Sequence, residues 1–107
     1  RDGGRTATSM KVFLTRDARN DLVLIGRHIA KDNPGRAMTF IAELEDVAQR
    51  IGDMPRAFPL VPRYEQHGIR RRSYRGYGML YAVRTDKVII YRIIGPGQDH
   101  DRALRLN

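Results

Sequence analysis

Apolar positions along the chain fall into two helical stretches and several strand-like ones. Lys11–Thr15 (KVFLT) is a short run of strand-favouring residues. From Arg16 to Asp32, Ala18, Leu22, Ile25 and Ile29 return on one helical stripe, with Arg19, Arg27 and Lys31 largely off it. Thr15 is placed to cap that helix, its hydroxyl accepting a backbone N–H of the first turn. Asn33-Pro34 then starts a second helix, with Asn as N-cap and Pro at a position that lacks a hydrogen-bond partner anyway. The pattern of Ala37, Phe40, Ile41, Leu44, Val47, Ala48 and Ile51 predicts this helix over Pro34–Ile51. Gly52 stands where a left-handed residue usually closes a helix. Two helices of about five turns, joined by so few residues, must lie antiparallel as a hairpin.

Asp53–Gly68 holds Pro55, Pro59 and Pro62 and reads as an extended loop with room for one helical turn. Three apolar stretches follow. Ile69–Tyr74 ends at Arg75-Gly76, Tyr77–Arg84 at Thr85-Asp86, and Lys87–Ile94 at Gly95-Pro96-Gly97. That spacing predicts an antiparallel three-strand meander. The polar tail Gln98–Leu106 suits one loose helical turn. The order is therefore β-α-α-β-β-β, an α+β fold with the helical hairpin packed on one face of an antiparallel sheet. Strand alternation sends Ile89, Tyr91 and Ile93 to one face and Val88, Ile90 and Ile94 to the other, with Arg92 among them. Two helices cover one face only, so the second is expected to be a partially apolar binding surface, unless the Pro-rich loop or the tail covers it.

Length allows one domain, expected over residues 10–107. Arg1–Ser9 has no hydrophobic middle and is not a secretory signal; it reads as a tag remnant or disordered arm before Met10. No apolar run approaches the roughly 20 residues that span a bilayer, so no membrane partner is expected. The absence of Cys excludes a disulfide scaffold and suits a reducing cytoplasm.

The net charge of +8 comes from 17 Arg and 3 Lys against 12 Asp and Glu. Such an excess suits phosphate, or equally an acidic protein partner. Arg56, Arg63, Arg70, Arg71, Arg72, Arg75 and Arg84 lie in a span holding one acid, Glu65, with Tyr64, Tyr74, Tyr77 and Tyr81 interleaved. Arg and Tyr together suit stacked bases, or anchor an acidic peptide; a strand edge kept soluble by charge reads the same way. His28, His67 and His100 have no second ligand at metal spacing, so neither metal nor cofactor is expected. Glu43, Glu45 and Asp46 read as a solvated helix face. Nucleophile, Walker and dinucleotide motifs are absent.

In order and spacing, several pieces are together similar to ParE toxins of the RelE/ParE toxin–antitoxin superfamily. They begin with D-L-x-x-I (Asp21, Leu22, Ile25), I-A-x-D-N-P-x-x-A (Ile29–Ala37), F-I-x-x-L (Phe40, Ile41, Leu44), Met54-Pro55 and P-x-x-x-R (Pro59, Arg63). G-I-R-R (Gly68–Arg71), Y-x-x-x-Y-x-V (Tyr77, Tyr81, Val83) and R-I-I-G-x-x-x-D-x-x-x-x-L (Arg92–Leu104) complete them.

The resemblance implies the RelE/ParE fold and the toxin of a type II pair, of the kind linked to plasmid stabilization. It implies a toxin inhibiting DNA gyrase and silenced by a ParD-like antitoxin with an acidic C-terminal segment. It also implies a hetero-oligomer that meets DNA only through the antitoxin. The alternative is a RelE-like, ribosome-dependent mRNA endonuclease with Arg63, Arg72, Arg84 or Arg92 on phosphate and His100 or a Tyr moving the proton. That branch resembles G-Y-R where this chain has Gly76-Tyr77-Gly78, and G-K-R where it has Gly95-Pro96-Gly97. Side chains that stabilise a phosphorane are missing at Gly78 and Gly97, which favours the non-catalytic branch. Arg63, Arg70, Arg72, Tyr74, Tyr81, Arg84 and Arg92 are the residues expected to bind target or antitoxin.

Overall fold

The structure, a computed structural model, describes residues 9–104, so the expected N-terminal arm falls outside it except for Ser9. Strand β1 (Lys11–Leu14) leads into α1 (Arg16–Ala30) and α2 (Pro34–Arg50), then β2 (Arg70–Tyr74), β3 (Tyr77–Arg84), β4 (Lys87–Ile94) and the short α3 (His100–Leu104). Both predicted caps form. Ala18 N–H donates to Thr15 Oγ1 at 3.1 Å and Arg36 N–H to Asn33 Oδ1 at 2.9 Å. Thr15 also donates its hydroxyl to the Tyr91 carbonyl at 2.8 Å, fixing the start of α1 on the sheet. Arg75 and Gly76 both take positive φ, the two-residue turn that matches strand twist, and close the β2–β3 hairpin.

Gly52 does not close α2 through a left-handed turn. The helix runs on into a 3₁₀ turn, Ile51–Asp53. A Cβ at Gly52 would lie 2.0 Å from the Met10 carbonyl oxygen, and Met10 N–H donates to the Gly52 carbonyl at 2.9 Å. Glycine is needed there because the start of β1 crosses against it.

The sheet order is β1-β4-β3-β2, and β1 runs parallel to β4, with Lys11 opposite Lys87 and Leu14 opposite Ile90. The sheet is therefore mixed, not wholly antiparallel. The chain between β1 and its neighbour is long enough to let β1 join the free edge of β4 in the same direction. Between Leu80 and Tyr81 the β3–β4 register shifts, leaving Tyr91 as an extra residue on β4. The shift reverses the alternation beyond it. Val88, Ile90 and Ile93 join Met79 and Tyr81 against Leu22, Phe40, Leu44 and Ile51 of the helical layer, whereas Tyr91 and Ile94 turn outward.

The outward face is not open. Leu80, Ala82 and Ile94 are buried beneath Val61 and Tyr64 from the Pro-rich segment, Ile69 at the entry to β2 and Ala103 from α3. Val61 N–H donates to the Ile69 carbonyl at 2.8 Å and Arg71 N–H to the Pro59 carbonyl at 3.0 Å, so the segment pairs along the start of β2. The expectation of a bare second sheet face is corrected: this chain seals it with its own loop and tail. Burying apolar side chains there stabilises by roughly 1.5–3 kcal/mol for each large one.

Candidate functional site

The residues expected to bind target or antitoxin divide among five environments. Tyr81 has 0% exposure, and its hydroxyl donates to the Pro55 carbonyl at 2.6 Å. Burial pushes its pKa up to about 12, against the opposing charges of Arg70 and Arg72. A side chain so enclosed builds the scaffold and presents nothing to a partner.

Arg92 is half-buried and engaged within its own chain. Its Nε and Nη2 donate to both oxygens of Asp21 at 2.8 and 2.9 Å, and Nη1 donates to the Ala103 carbonyl at 2.8 Å. Asp21, itself buried, also accepts the Ile93 N–H at 2.8 Å. This network ties α1, β4 and α3 together. The hydrogen bond to Asp21 holds the Arg92 pKa above its ordinary value.

Arg70, Arg72 and Tyr74 do come together, on alternate positions of β2 that share a side with Tyr81 and Met79. Arg70 Nη1 donates to the Phe58 carbonyl at 2.7 Å, and the Arg72 guanidinium lies 4.8 Å from the Phe58 ring centroid. Tyr74 reaches the helices: its hydroxyl donates to Glu43 Oε1 at 2.9 Å, while Arg36 holds Glu43 Oε2 at 2.9 Å. Glu43 is thus no freely solvated helix carboxylate but a link from α2 to the sheet. Its hydrogen bonds to Arg36 and Tyr74 lower its pKa.

Arg63 and Arg84 stand apart. Arg63, at φ 76°, pairs with Asp101 of α3 at 3.0 Å, and Tyr64 donates to the same carboxylate. That Tyr64 bond is the first cause of the lowered Asp101 pKa, ahead of the Arg63 charge. Arg84 donates to the Tyr91 hydroxyl at 3.2 Å, beside a hollow of about 230 Å³ that His67, Ile69 and Leu104 also line.

An open, partly apolar groove lies elsewhere, where β1 meets the hairpin. It has a volume of about 550 Å³ and runs between Val12–Leu14 of β1, Leu22, Val23 and Gly26 of α1, and Ile41 and Ala48 of α2. Arg19, Arg27, Glu45 and Gln49 form its polar rim. Gly26 lets the helices approach closely, since a Cβ there would lie 3.3 Å from Ile41. A shallower hollow shares Gly26 and Ile41 and continues to Met38. Val23 is 49% exposed and Met38 78%, so large apolar groups face water on this flank. None of these groove residues was among those expected from the sequence to bind a partner. The available signal was Val23 and Met38 lying off the stripes that define the core faces.

Among the described residues no helix is long and apolar enough to cross a membrane, and no group of three His, Asp or Glu could hold a metal ion.

Residues 12–100 match the family described as ParE toxin of type II toxin–antitoxin system, parDE. Among solved structures, the chromosomal ParDE toxin–antitoxin system from P. aeruginosa is similar with a TM-score of 0.69 at 19% identity, covering 83% of this chain and 98% of that one. The RelBE2 toxin–antitoxin complex from Mycobacterium tuberculosis gives 0.61 at 21% identity, covering 85% and 95%. At such identities both likenesses speak to fold alone. No curated protein matches the sequence.

Proposed function

The chain belongs to the ParE toxin family of type II toxin–antitoxin systems, and from that premise we propose that it inhibits growth by acting on DNA gyrase without catalysis. A ParD-like antitoxin neutralises it by direct binding in the cytoplasm, as a hetero-oligomer. The groove between β1 and the helical hairpin is the observation that carries the antitoxin half of this reading. It is apolar along its floor, and Arg19 and Arg27 on its rim complement an acidic tail. An amphipathic segment with an apolar face toward Val23 and Ile41 and carboxylates toward the two arginines fits both features. Burial supplies most of the affinity, and the arginines set orientation. The free edge of the sheet lies beside the groove, so an extended part of the same partner can pair with β1.

The gyrase half is an extension of family membership, supported by Gly78 and Gly97 standing where the resemblance puts cationic side chains in the nuclease branch. The test is to express the chain with and without the adjacent reading frame and to assay supercoiling by gyrase. Arrested growth relieved by the neighbour, with supercoiling inhibited at micromolar toxin, is the expected result. Unaffected growth in both strains contradicts the toxin reading; unaffected supercoiling removes gyrase as the target.

A further inference from the structure

The chain has no Cys and no Trp, so its four Met are the side chains that a two-electron oxidant such as hydrogen peroxide attacks first. They sit in different settings. Met79 is buried in the core at 1% exposure, and Met10 is partly buried against that core. Met54 and Met38 are open to water, at 58% and 78%.

What surrounds these two differs. Met38 lies on α2 with Ala42 four residues on and Glu45 seven, one helical stripe beside Ile41. That stripe lines a shallow hollow of about 370 Å³, which shares Gly26, Ile41 and Glu45 with the larger groove against β1. Met54, just past the 3₁₀ turn that follows α2, lines neither.

A thioether at the mouth of the groove is a deformable apolar contact for a docking segment. Its sulfoxide is of nearly the same size but carries a strongly polar S–O bond, and water solvates that oxygen in the free chain. A partner seated over it strips this water away, a cost the thioether does not carry. The folded chain by itself buries neither form, so its own stability is unaffected.

We propose that Met38 is an oxidative modification site controlling the hairpin groove, its sulfoxide loosening the antitoxin's hold while the toxin fold stays intact. That role rests on the reading of the groove as the antitoxin site. In the reaction with hydrogen peroxide, a lone pair of the Met38 sulfur attacks one peroxide oxygen. The S–O bond forms as the O–O bond breaks, and the departing hydroxide takes the proton from the transferred oxygen and leaves as water. Sulfur is oxidised by two electrons and peroxide is reduced by two. A methionine sulfoxide reductase reverses the change.

The test uses the full chain and the purified product of the adjacent reading frame. The folded chain is treated with hydrogen peroxide and its peptides are followed by mass spectrometry. Met38 and Met54 should each gain one oxygen at least about tenfold faster than the buried Met79. With the neighbour bound, Met38 should be shielded and Met54 should not. Titration calorimetry with chain that is treated and quenched before mixing should show affinity lowered by about tenfold, restored by the reductase, with the melting midpoint unchanged. Met54→Leu should lose affinity on treatment as the unsubstituted chain does. Met38→Leu has a similar volume and no sulfur, so its affinity should be the same before and after peroxide. Met38→Gln puts an unbranched polar side chain there and should weaken binding without any oxidant.

Oxidation of Met38 no faster than that of Met79, equal affinity of treated and untreated chain, or a peroxide effect that survives in Met38→Leu would overturn the proposal. A melting midpoint that falls with the affinity would assign the loss to unfolding and overturn it too. Untreated chain that does not bind the neighbour would contradict the groove reading and the proposal together. Binding that Val23→Asp weakens and peroxide leaves alone would remove the proposal and keep the groove.

Discussion

The outer face of the sheet and the β1 flank of the helical hairpin begin with the same problem and end differently. Each presents aliphatic side chains that the principal helix–sheet core leaves uncovered. On the outer face, Val61, Tyr64 and Ala103 arrive from a loop and a five-residue helix and bury Leu80, Ala82 and Ile94. On the hairpin flank no described segment arrives, and Val23, Ile41 and Met38 border an open groove. Coverage is thus decided by short aperiodic segments, not by the regular elements. The apolar surface these segments leave bare is the one a partner can use.

This contrast can be broken most forcefully from the sealed side. Asp21→Ala removes the bidentate partner of Arg92 and the acceptor of the Ile93 N–H. It should destabilise the chain by about 3–5 kcal/mol, the usual cost of stranding one half of a buried pair, read from the urea midpoint. On the open side, Val23→Asp should leave that midpoint nearly unchanged and weaken antitoxin binding by about 2–3 kcal/mol, measured by titration calorimetry. Equal losses of stability in the two variants would erase the distinction.

Tyr81→Phe sharpens it further. The lost hydroxyl strands the Pro55 carbonyl, at a cost of about 1–3 kcal/mol at neutral pH. The sign of the pH effect follows from burial. The unfolded chain releases the Tyr81 proton near pH 10, the folded chain only near 12. The Tyr81 contribution is therefore complete below pH 10 and lost as pH rises toward 12, about 2–3 kcal/mol in all. Urea midpoints at rising alkaline pH should fall less in Tyr81→Phe than in the unsubstituted chain. The smallest effect is expected from Arg70→Ala combined with Arg72→Ala. Both guanidiniums contact the Phe58 region at the surface, so stability should change by about 0.5 kcal/mol or less and antitoxin affinity hardly at all.

The regular elements were legible in the chain because their apolar spacing is strict. Tyr77–Arg84 and Lys87–Ile94 form as read, and both helix caps sit on Thr15 and Asn33. What escaped is not periodic. The extra residue at Tyr91 inverts strand alternation and turns Arg92 toward Asp21, a shift that no pattern of side-chain types announces. Val61, Tyr64 and Ala103 are too scattered to signal a lid. Tyr81 looked like a surface anchor beside arginines, but period-two alternation places it with Met79, under the helices. Arg71 and His100 lie 29 positions apart and meet only because α3 packs back on β4, within reach of the Arg71 side chain.

Hydrogen–deuterium exchange of the chain alone and with its antitoxin tests the central claim most directly. Slowed exchange across residues 11–14, 16–30 and 38–49, with residues 59–69 and 100–104 unchanged, is the expected footprint of a partner seated in the hairpin groove. Protection concentrated on residues 59–69 and 100–104, with the hairpin unaffected, would show that the antitoxin docks on the self-sealed face and would contradict it.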